Sequence, residues 1–410
     1  MTERLVTTDV LVIGGGLAGE RCAIEAAAAG HEVVILSLVP PRRSHSCAAQ
    51  GGMQAALANC VKAEGDNSTV HFLDTVRGSD WGADQEVANI FAEEAIVAVR
   101  EMAHFGVPWT RLRGGKNKYF IKGEEVEIDE PHENEGLIMH RDFGGTAKWR
   151  ACYAAAGTGH AALYAVDSEV VRLGITVRDR TEAVSLIHDG TRCVGAVVRC
   201  LRTGDHFAVM AKATVIATGG YGRIYGQYTS NAVINEGTGA SIALDTGIVP
   251  LGNMEAVQFH PTTLVPSGIL VTEGCRGDGG YLLDKDGYRF MVDAEPEKQE
   301  LASRDVVSRH MAQRMRDEGA LEQTDAAARA EIEAALAEGQ QPLRAIGDRE
   351  QLGPAQLAAE STHSLGLPVQ RLAIVLGDTA LGPGTGILGE YLNGPAAVAG
   401  RRVKCLVIAA

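Results

Sequence analysis

The residue types that could do chemistry stand in two stretches far apart in the chain. The first is the segment at 41–60, P-R-R-S-H-S-C-A-A-Q-G-G-M-Q-A-A-L-A-N-C, in which His45 precedes a glycine pair. A lone histidine in such a loop is most often only a polar loop residue. The second stretch, at 260–305, carries H-P-T, then T-E-G-C-R-G-D-G-G, then S-R-D. Arginine presents a planar fork of donors that matches a carboxylate, so this stretch is suited to binding an anion.

Arg304 is electrostatically unusual within the second stretch. It stands where a helix is predicted to begin, in S-R-D-V-V-S-R-H-M. A cation at a helix start opposes the helix dipole, so Arg304 needs an anion or a carboxylate beside it. The simplest alternative to a substrate anion is an ion pair with Asp305 or Asp278.

A nucleotide-binding start precedes the His45 segment. Residues 8–13, T-D-V-L-V-I, read as a buried parallel strand, residues 20–29 as a helix and residues 31–37 as a second strand. Between the first strand and the helix lies a G-x-G-x-x-G fingerprint, formed by Gly14, Gly16 and Gly19. A tight turn, a close backbone approach to a pyrophosphate and close helix–strand packing require these glycines. With strand, helix and strand in order, the fingerprint predicts dinucleotide binding.

The second strand ends in Ser37, where the fingerprint usually has an acidic residue that binds the ribose. Ser37 is expected to hydrogen-bond a ribose hydroxyl more weakly. Further along, A-T-V-I-A-T-G-G-Y-G at 213–222 predicts a strand that ends in paired glycines, with Gly219 suited to a second approach to the cofactor.

Other segments have clear periodicities. Residues 84–105 predict an amphipathic helix whose core stripe is Val87, Phe91, Ala95, Ala98, Met102 and Phe105. Residues 111–138 predict a solvated hairpin or loop. A helix is expected near 147–172, short strands at 182–188, 193–201 and 206–210, and a helix from the N-E-G-T-G turn to about Asp245.

Composition restricts the class of protein. The chain has 410 residues, 45% of them hydrophobic, which is enough for two or three domains. A net charge of −14 argues against nucleic acid as a partner but not against an anionic substrate. The eight cysteines form no C-x-x-C pair, so no metal or iron–sulfur site is expected in this chain. No apolar run reaches the length of a membrane span, and the first residues, M-T-E-R-L-V-T-T, predict a strand, so no signal peptide is expected.

Taken together, these motifs resemble the flavoprotein subunit of the succinate dehydrogenase/fumarate reductase family, and most closely the quinol-linked fumarate reductases. The matching stretches are G-G-G-L-A-G, R-S-H-S-C-A-A-Q-G-G-M-Q-A, H-R-D-F-G-G-T, A-T-G-G-Y-G-R-I-Y, N-E-G-T-G, M-E-A-V-Q-F-H-P-T, T-E-G-C-R-G-D-G-G and S-R-D-V-V-S-R. They follow the family's order from residue 1 to about 318. The joint occurrence of so many motifs is specific.

The resemblance implies roles for individual residues. It implies FAD bound covalently through His45, with further cofactor contacts from Ser44, Gly51 and Gly52. It implies hydride transfer between the flavin and a four-carbon dicarboxylate. The positions implied for the proton donor and its relay are Arg304, Glu273 and Arg276, and the positions implied for holding one substrate carboxylate are His260 and Thr272.

The resemblance also implies partners and a fold. Electrons would pass to an iron–sulfur subunit, and a membrane cytochrome or quinone-binding anchor would complete an anaerobic respiratory complex. The chain would then be cytoplasmic, peripheral to the inner face of the cell membrane. The expected fold is α/β: an FAD-binding, Rossmann-like parallel-sheet domain with inserted β hairpins (1–250), and a smaller α+β capping domain (251–350) that carries the substrate site.

The tail, 351–410, departs from this resemblance. No family motif is recognised after about Glu318, and a further substrate histidine and arginine of the family have no recognisable match. A truncated or frameshifted end is the favoured explanation, over a divergent end. With one carboxylate clamp missing, the chain as given is expected to have little turnover. An L-aspartate oxidase, an inactive flavin-binding remnant and, less favoured, an NAD-dependent dehydrogenase are the alternatives.

Overall fold

The computed structural model describes residues 5–121, 124–226, 229–264, 268–284, 286–317, 372–376 and 405–407. Its helices are α1 (Leu17–Ala28), α2 (Ser68–Gly78), α3 (Gln85–His104), α4 (Thr158–Arg172), α5 (Thr238–Leu244), α6 (Glu273–Gly277), α7 (Met291–Ala294) and α8 (Arg304–Asp317). Its strands are β1 (Leu5–Ile13), β2 (Val33–Ser37), β3 (Met53–Gln54), β4 (Gly115–Ile121), β5 (Glu124–Glu130), β6 (His140–Arg141), β7 (Ala151–Cys152), β8 (Thr176–Asp179), β9 (Thr181–His188), β10 (Cys193–Cys200), β11 (His206–Ile216), β12 (Phe259–Leu264), β13 (Ile269–Leu270), β14 (Leu372–Leu376) and β15 (Cys405–Val407).

The main sheet is mixed and has the order β8-β2-β1-β11-β10-β9, with β15 also paired to β11. β8, β2, β1, β11 and β15 run parallel, whereas β10 and β9 form antiparallel ladders. The parallel part continues from β1 through α1 to β2, as the sequence predicts. The predicted α/β class, with a parallel sheet and inserted hairpins, is therefore confirmed.

Both faces of the parallel strands are buried. Alternate residues of β1 and β2, including Val10, Val12 and Ile35, pack with α1, α3 and α4 on one face. The intervening residues, including Leu11 and Leu36, pack on the other face with α5, β9 and β10. Burial on both faces explains why the two strands are continuous apolar runs instead of alternating patterns.

The hairpin predicted within 111–138 is present as β4 and β5. Its two exposed cross-strand ion pairs, Lys116–Glu127 at 2.7 Å and Lys118–Glu125 at 2.6 Å, explain the mixed charge of this segment. The bounds of the antiparallel strands β9 and β10 also lie within one residue of the predicted strands at 182–188 and 193–201. The expected strands at 206–210 and 213–222 are a single long strand, β11, because residues 206–210 pair with β10 and residues 208–216 pair with β1.

Two helix predictions are corrected by tertiary contacts. The buried face of α3 is Ala88, Ala92, Ala95, Ala98, Val99 and Met102, so the predicted stripe is right in its second half, but Val87 is exposed. The helix expected near 147–172 begins only at Thr158. Residues before it are held in β7, which pairs with β3 and β6, and in the buried ion pairs of Arg150 with Asp66 and Asp74.

The segment from β12 to α8 builds a separate, smaller apolar cluster from Leu282, Met291, Ala302, Val307 and Met311. His260 lies within β12. The strand β12 pairs with β13 and with β14. Residues 325–338 are rich in alanine and glutamate, a composition that predicts a helix, and they lie outside the described residues. Within the described part of the chain, no helix is long and apolar enough to cross a membrane.

Candidate active site

The turn between β1 and α1 can be built only from glycine at two positions. Gly14 has φ +122°, and a Cβ there would lie 2.0 Å from the carbonyl oxygen of Ala217 on the neighbouring strand end. A Cβ at Gly19 would lie 1.9 Å from the carbonyl oxygen of Gly14. These contacts account for two of the three fingerprint glycines and bring the start of α1 against the sheet, where a helix N-terminus offers free N–H groups to a phosphate.

The His45 loop, residues 44–52, lies against this helix start. Leu17, the first residue of α1, donates its N–H to Ser46 Oγ at 3.2 Å. A Cβ on Gly16 would stand 3.6 Å from Ser44 Oγ, and that buried hydroxyl has no hydrogen-bond partner within the described residues. A buried hydroxyl without a partner is costly. It is therefore suited to a ligand that lies over the glycine turn.

Ser37 closes the same turn from the end of β2. Its hydroxyl donates to the carbonyl oxygen of Val39 at 2.6 Å, and its Oγ would stand 2.7 Å from a Cβ on Gly15. The hydroxyl can therefore act toward a ribose only as an acceptor. A ribose contact at Ser37 stays a prediction.

The other predicted cofactor residues are placed around the His45 loop. A Cβ on Gly51 would lie 2.5 Å from the ring of Phe143, so that position has no room for a side chain. Gly52 packs on the carbonyl oxygen of Cys152 in β7. Gly219 has φ +76° in the turn after β11, three residues before the short 3-10 segment Gly222–Tyr225.

His45 begins a short 3-10 segment, His45–Ala48, and its ring is half-buried. The backbone N–H of Ala232 donates to His45 Nδ1, with 3.3 Å between the two nitrogen atoms. Burial lowers the pKa of His45, and the charge of Arg223 lowers it further. The ring is therefore held neutral at physiological pH.

The second predicted stretch converges on the carboxylate of Glu273. Glu273 is 3% exposed and begins α6. Its Oε2 accepts from Arg304 Nε at 2.8 Å and lies 4.0 Å from a terminal nitrogen of Arg276, while its Oε1 accepts from the backbone N–H of Gly144. Burial would raise the pKa of Glu273, but the charges of Arg304 and Arg276 outweigh it and hold the pKa at about 2.

Arg276 is the inner cation of this cluster. It is 6% exposed, and it donates to the carbonyl oxygen of Glu300 and to Thr262 Oγ1, each at 2.9 Å. Burial lowers its pKa. Among the described residues, its second terminal nitrogen lacks a hydrogen-bond acceptor. Two guanidinium groups around one carboxylate leave an excess of positive charge, which favours an anionic ligand.

Arg304 is the outer cation. Its side chain is 21% exposed, and a terminal nitrogen donates to Gln258 Oε1 at 3.0 Å. The ion pair with Glu273 replaces both pairings considered from the sequence, since Asp305 instead contacts Ser303 and Arg309. Asp278 lies 3.9 Å from Arg141. Because Glu273 is 31 positions away in sequence, local charge patterns could not reveal it.

His260 and Thr272 lie beside this cluster. His260 is 4% exposed, and its Nδ1 lies 3.1 Å from the carbonyl oxygen of Thr262. Burial, together with the charges of Arg304 and Arg276, lowers its pKa to about 3, so the ring is neutral. The hydroxyl of Thr272 caps α6 by accepting the N–H of Gly274 at 3.3 Å, which leaves its own hydrogen available to donate.

Arg141 was not singled out from the sequence, although it lies in the H-R-D-F-G-G-T stretch. Its guanidinium donates to the carbonyl oxygen of Gly51 and lies 4.4 Å from the ring centre of Tyr153. A Cβ on Gly274 would lie 2.8 Å from one of its terminal nitrogens. Arg141 therefore connects the His45 loop to α6. Only its position within a glycine-bounded motif could have indicated this role.

The comparisons with known proteins agree with this geometry. The family model described as "FAD binding domain" matches residues 9–367. The chain belongs to the FAD-binding domain family. This general family model reaches past the last short motif that the sequence analysis recognises, which ends near Glu318.

Two curated relatives of this FAD-binding chain carry related names. It is 58% identical over 308 residues to the fumarate reductase flavoprotein subunit of Helicobacter pylori, an alignment covering 75% of this chain and 43% of that protein. It is 38% identical over 309 residues to a mitochondrial succinate dehydrogenase flavoprotein subunit of Xenopus laevis, covering 75% of this chain and 44% of that protein. The chain thus spans less than half the length of these relatives.

Solved structures share the fold. A quinol-fumarate reductase solved with menaquinol molecules matches with a TM-score of 0.67 and 30% identity, over 92% of this chain and 62% of that chain. A variant of E. coli quinol fumarate reductase matches with a TM-score of 0.66 and 28% identity, over 92% and 60%. The predicted resemblance to the fumarate reductase and succinate dehydrogenase flavoproteins is confirmed.

Proposed function

We propose that this chain is the FAD-carrying part of a fumarate reductase or succinate dehydrogenase, interconverting fumarate and succinate. The observation that carries the proposal is the cluster in which Glu273 lies between Arg304 and Arg276. The 58% identity to a fumarate reductase flavoprotein subunit supports the same reaction. Bound FAD supplies the two-electron chemistry, in which a hydride is exchanged with one carbon of the dicarboxylate.

The chain's own residues then manage the proton at the neighbouring carbon. Arg304 is the candidate proton donor, because it lies at the edge of the buried cluster and is partly open to solvent. Glu273 Oε2 lies 2.8 Å from Arg304 Nε, so the carboxylate would take up a proton and pass it on to the guanidinium, which reprotonates Arg304 after each transfer. Arg276 keeps that carboxylate ionised and in place.

In this proposal, side chains next to the arginine cluster bind the substrate. Thr272 has a hydroxyl hydrogen available for a substrate carboxylate, and His260 is kept neutral beside it. The positive charge of the two arginines withdraws electrons through the substrate's carboxylates, which makes its double bond a better hydride acceptor. The cluster would therefore serve catalysis as well as binding.

The cofactor would lie over the glycine turn and the His45 loop. Gly14, Gly16 and Gly19 would admit the pyrophosphate, with Ser44 donating its unpartnered hydroxyl and Ser37 near the ribose. The flavin would contact Gly51, Gly52 and Gly219, and His45 would carry the covalent bond. The fingerprint glycines suit this assignment because they allow a close approach of the backbone to a pyrophosphate.

We further infer an electron-transfer assembly. The described residues contain no cluster of three or more side chains that could hold a metal, so electrons would leave to a separate iron–sulfur subunit. A membrane cytochrome or quinone-binding anchor would complete the complex, placing this chain at the inner face of the cell membrane. Copurification of this chain with a cluster-containing subunit would test that assembly.

The decisive experiment compares Arg304→Gln and Arg304→Lys in the purified holoenzyme. Fumarate reduction by a reduced viologen dye should fall by about 10²–10⁴-fold in R304Q, the range lost with a general acid, while R304K should retain more activity because lysine can still donate. FAD content, measured by absorbance, controls for folding. If R304Q retained more than about a tenth of the activity, Arg304 would not be the proton donor.

A second measurement separates this proposal from an L-aspartate oxidase. After acid denaturation and washing, flavin that stays with the protein indicates covalent attachment at His45. Flavin that washes away from a protein that oxidises L-aspartate would overturn the proposed reaction. FAD binding without turnover of fumarate, succinate or aspartate by the holoenzyme would favour the inactive remnant.

A further inference from the structure

Glu20 is a buried carboxyl group that the proposed chemistry does not use. It lies in the first turn of α1 and is 0% exposed. Neither of its oxygens receives a hydrogen bond from any of the described residues. Asp167 of α4 lies within hydrogen-bonding reach, but an ionised carboxylate offers only acceptors. Two buried carboxylates would repel each other, so one of the two groups must carry a hydrogen and donate it to the other.

Arg42 decides which of the two carboxyl groups is protonated. Its Nε donates to Asp167 Oδ2, and its guanidinium lies 4.7 Å from the ring centre of Tyr164, three residues earlier on α4. This ion pair favours the ionised form of Asp167. Burial, followed by the charge of Asp167, raises the pKa of Glu20 to about 9, and the opposing effect of Arg42 is smaller. The hydrogen is therefore on Glu20.

The surroundings of Glu20 hold few other charges. Among the described residues, the charged groups that face it from the elements packed against α1 are Asp167 and Arg42. On α1 itself, the neighbouring Arg21 is paired with Glu25 at 2.9 Å and with Glu101 at 2.6 Å. The protonation of Glu20 therefore acts mainly on the pair that Asp167 forms with Arg42.

Arg42 leads directly into the His45 loop, and α4 holds that loop at two points. The N–H of Gly159, in the first turn of α4, donates to the carbonyl oxygen of Ala49 at 2.6 Å, and a Cβ on Gly159 would lie 2.7 Å from that oxygen. The backbone therefore fixes the loop at Ala49. The start of the loop is instead held by side chains, through the ion pair of Arg42 with Asp167.

We propose that Glu20 is a positioning residue for the cofactor: as a neutral acid it donates its hydrogen to Asp167, which holds Arg42 and the start of the His45 loop where FAD binds. This inference rests on the FAD binding proposed above. When Glu20 loses its hydrogen to solvent, the two carboxylates repel each other and Asp167 is pushed away from α1. Arg42 and the start of the loop over the glycine turn would move with it, and FAD would bind more weakly.

The first test measures FAD affinity against pH. His45→Ala is the background throughout, so FAD binding is reversible whether or not wild type forms a covalent bond. With Glu20 present, the Kd for FAD, measured by flavin fluorescence, should rise about tenfold from pH 7 to pH 10. One pH unit above a pKa of about 9, only about one site in eleven keeps the hydrogen.

Glu20→Gln is the matched control in the same background. Its amide can still donate to Asp167 but does not titrate, so E20Q should bind FAD as tightly as the parent protein at pH 7 and should not show the tenfold rise. Any change of Kd with pH that both proteins share comes from other groups. A merely structural role would weaken binding in E20Q equally at both pH values.

The hydrogen on Glu20 can also be observed directly. A protonated carboxyl group has a C=O stretching band that a carboxylate lacks. The infrared difference spectrum between wild type and E20Q should contain this band at pH 7, and the band should disappear as the pH rises past about 9.

Asp167→Asn provides a variant that does not depend on glutamine being tolerated at position 20. Removing the neighbouring charge should lower the pKa of Glu20, so the rise in Kd should begin at a lower pH than in the protein with Asp167.

The outcomes distinguish the two levels of inference. A chain that bound no FAD at any pH would overturn the proposed function and, with it, this proposal. FAD binding with the same pH profile in E20Q as in the parent protein, or an infrared spectrum without the band at pH 7, would overturn only the role of Glu20. If E20Q did not fold, an unchanged pH profile in D167N would overturn that role.

Discussion

Replacing Glu273 with glutamine should destabilise the arginine cluster by a magnitude that follows from its geometry. Glu273 is almost completely buried and lies between Arg304 and Arg276. A carboxyl pKa held at about 2 instead of 4.5 corresponds to about 3 kcal/mol of favourable interaction. Removing one partner of a buried ion pair costs about 3–5 kcal/mol, because the remaining charge is left without compensation. The two routes agree on about 3 kcal/mol.

The sign of the pH dependence provides a second check. Because folding lowers the pKa of Glu273, its contribution is present above pH 4.5 and is lost as the pH falls through about 2. The glutamine variant never has that contribution. The stability difference between wild type and Glu273→Gln should therefore be largest at neutral pH and shrink below pH 4.5.

Hydrogen–deuterium exchange of peptides covering α6 and α8 measures this local stability without assuming that the whole chain unfolds in one step. A loss of about 3 kcal/mol should make the protected amides exchange roughly a hundredfold faster at neutral pH. Glu297→Gln, an exposed position on the same part of the chain, is the matched control and should change nothing. An effect below about fivefold, or one that stayed constant from pH 7 to pH 3, would refute the electrostatic account of the cluster.

Three further predictions concern buried ionisable groups. Arg150→Met should lower the free energy of unfolding by about 3–5 kcal/mol, because Arg150 is fully buried between two aspartates. Lys116→Met on the exposed hairpin is the control and should lower it by less than about 1 kcal/mol, with both variants measured by urea denaturation. Burial and the charge of Asp167 raise the pKa of Glu20 to about 9, so the stability of wild type should fall as the pH rises from 4.5 to 9. Glu20→Gln should therefore be more stable than wild type at pH 8 but not at pH 4.5. ¹⁵N-histidine NMR should show His260 neutral from pH 8 down to about pH 4; titration near 6.5 would contradict its burial beside two arginines.

The sequence could predict those elements whose formation depends on residues that are close to one another in the chain. The buried runs of β1 and β2, the glycine turn between them and the ends of α3 depend on local sequence, and the prediction places them within a few residues. The start of α4 was not, because Ala151 and Cys152 are drawn into β7 by pairing with strands about one hundred and about ten residues away. Competition from such distant partners leaves no local signal.

The candidate site shows the same division. The sequence identified Glu273, Arg276 and Arg304 as separate chemistry-bearing residues, and the structure brings them into one cluster. It did not reveal which carboxylate satisfies Arg304. It also did not indicate that the N–H of Ala232 and the charge of Arg223 act on His45. Every residue type except proline carries a backbone N–H, and an arginine in a turn is common. The family resemblance implied roles for single residues, whereas the contacts around each residue can be seen only in the folded chain.

The segment 141–144 connects the two halves of the site. Arg141, at one end, donates to the carbonyl oxygen of Gly51 in the His45 loop, and Gly144, at the other end, donates its N–H to Glu273. A Cβ at Gly144 would lie 2.7 Å from both Glu273 Oε1 and the carbonyl oxygen of Ala302, so the backbone itself must approach the carboxylate. A shift of this segment would therefore move the loop proposed to carry the flavin and the carboxylate proposed to relay protons together. Hydride and proton transfer to adjacent carbons need that fixed relation, since both depend on reacting atoms being held in line.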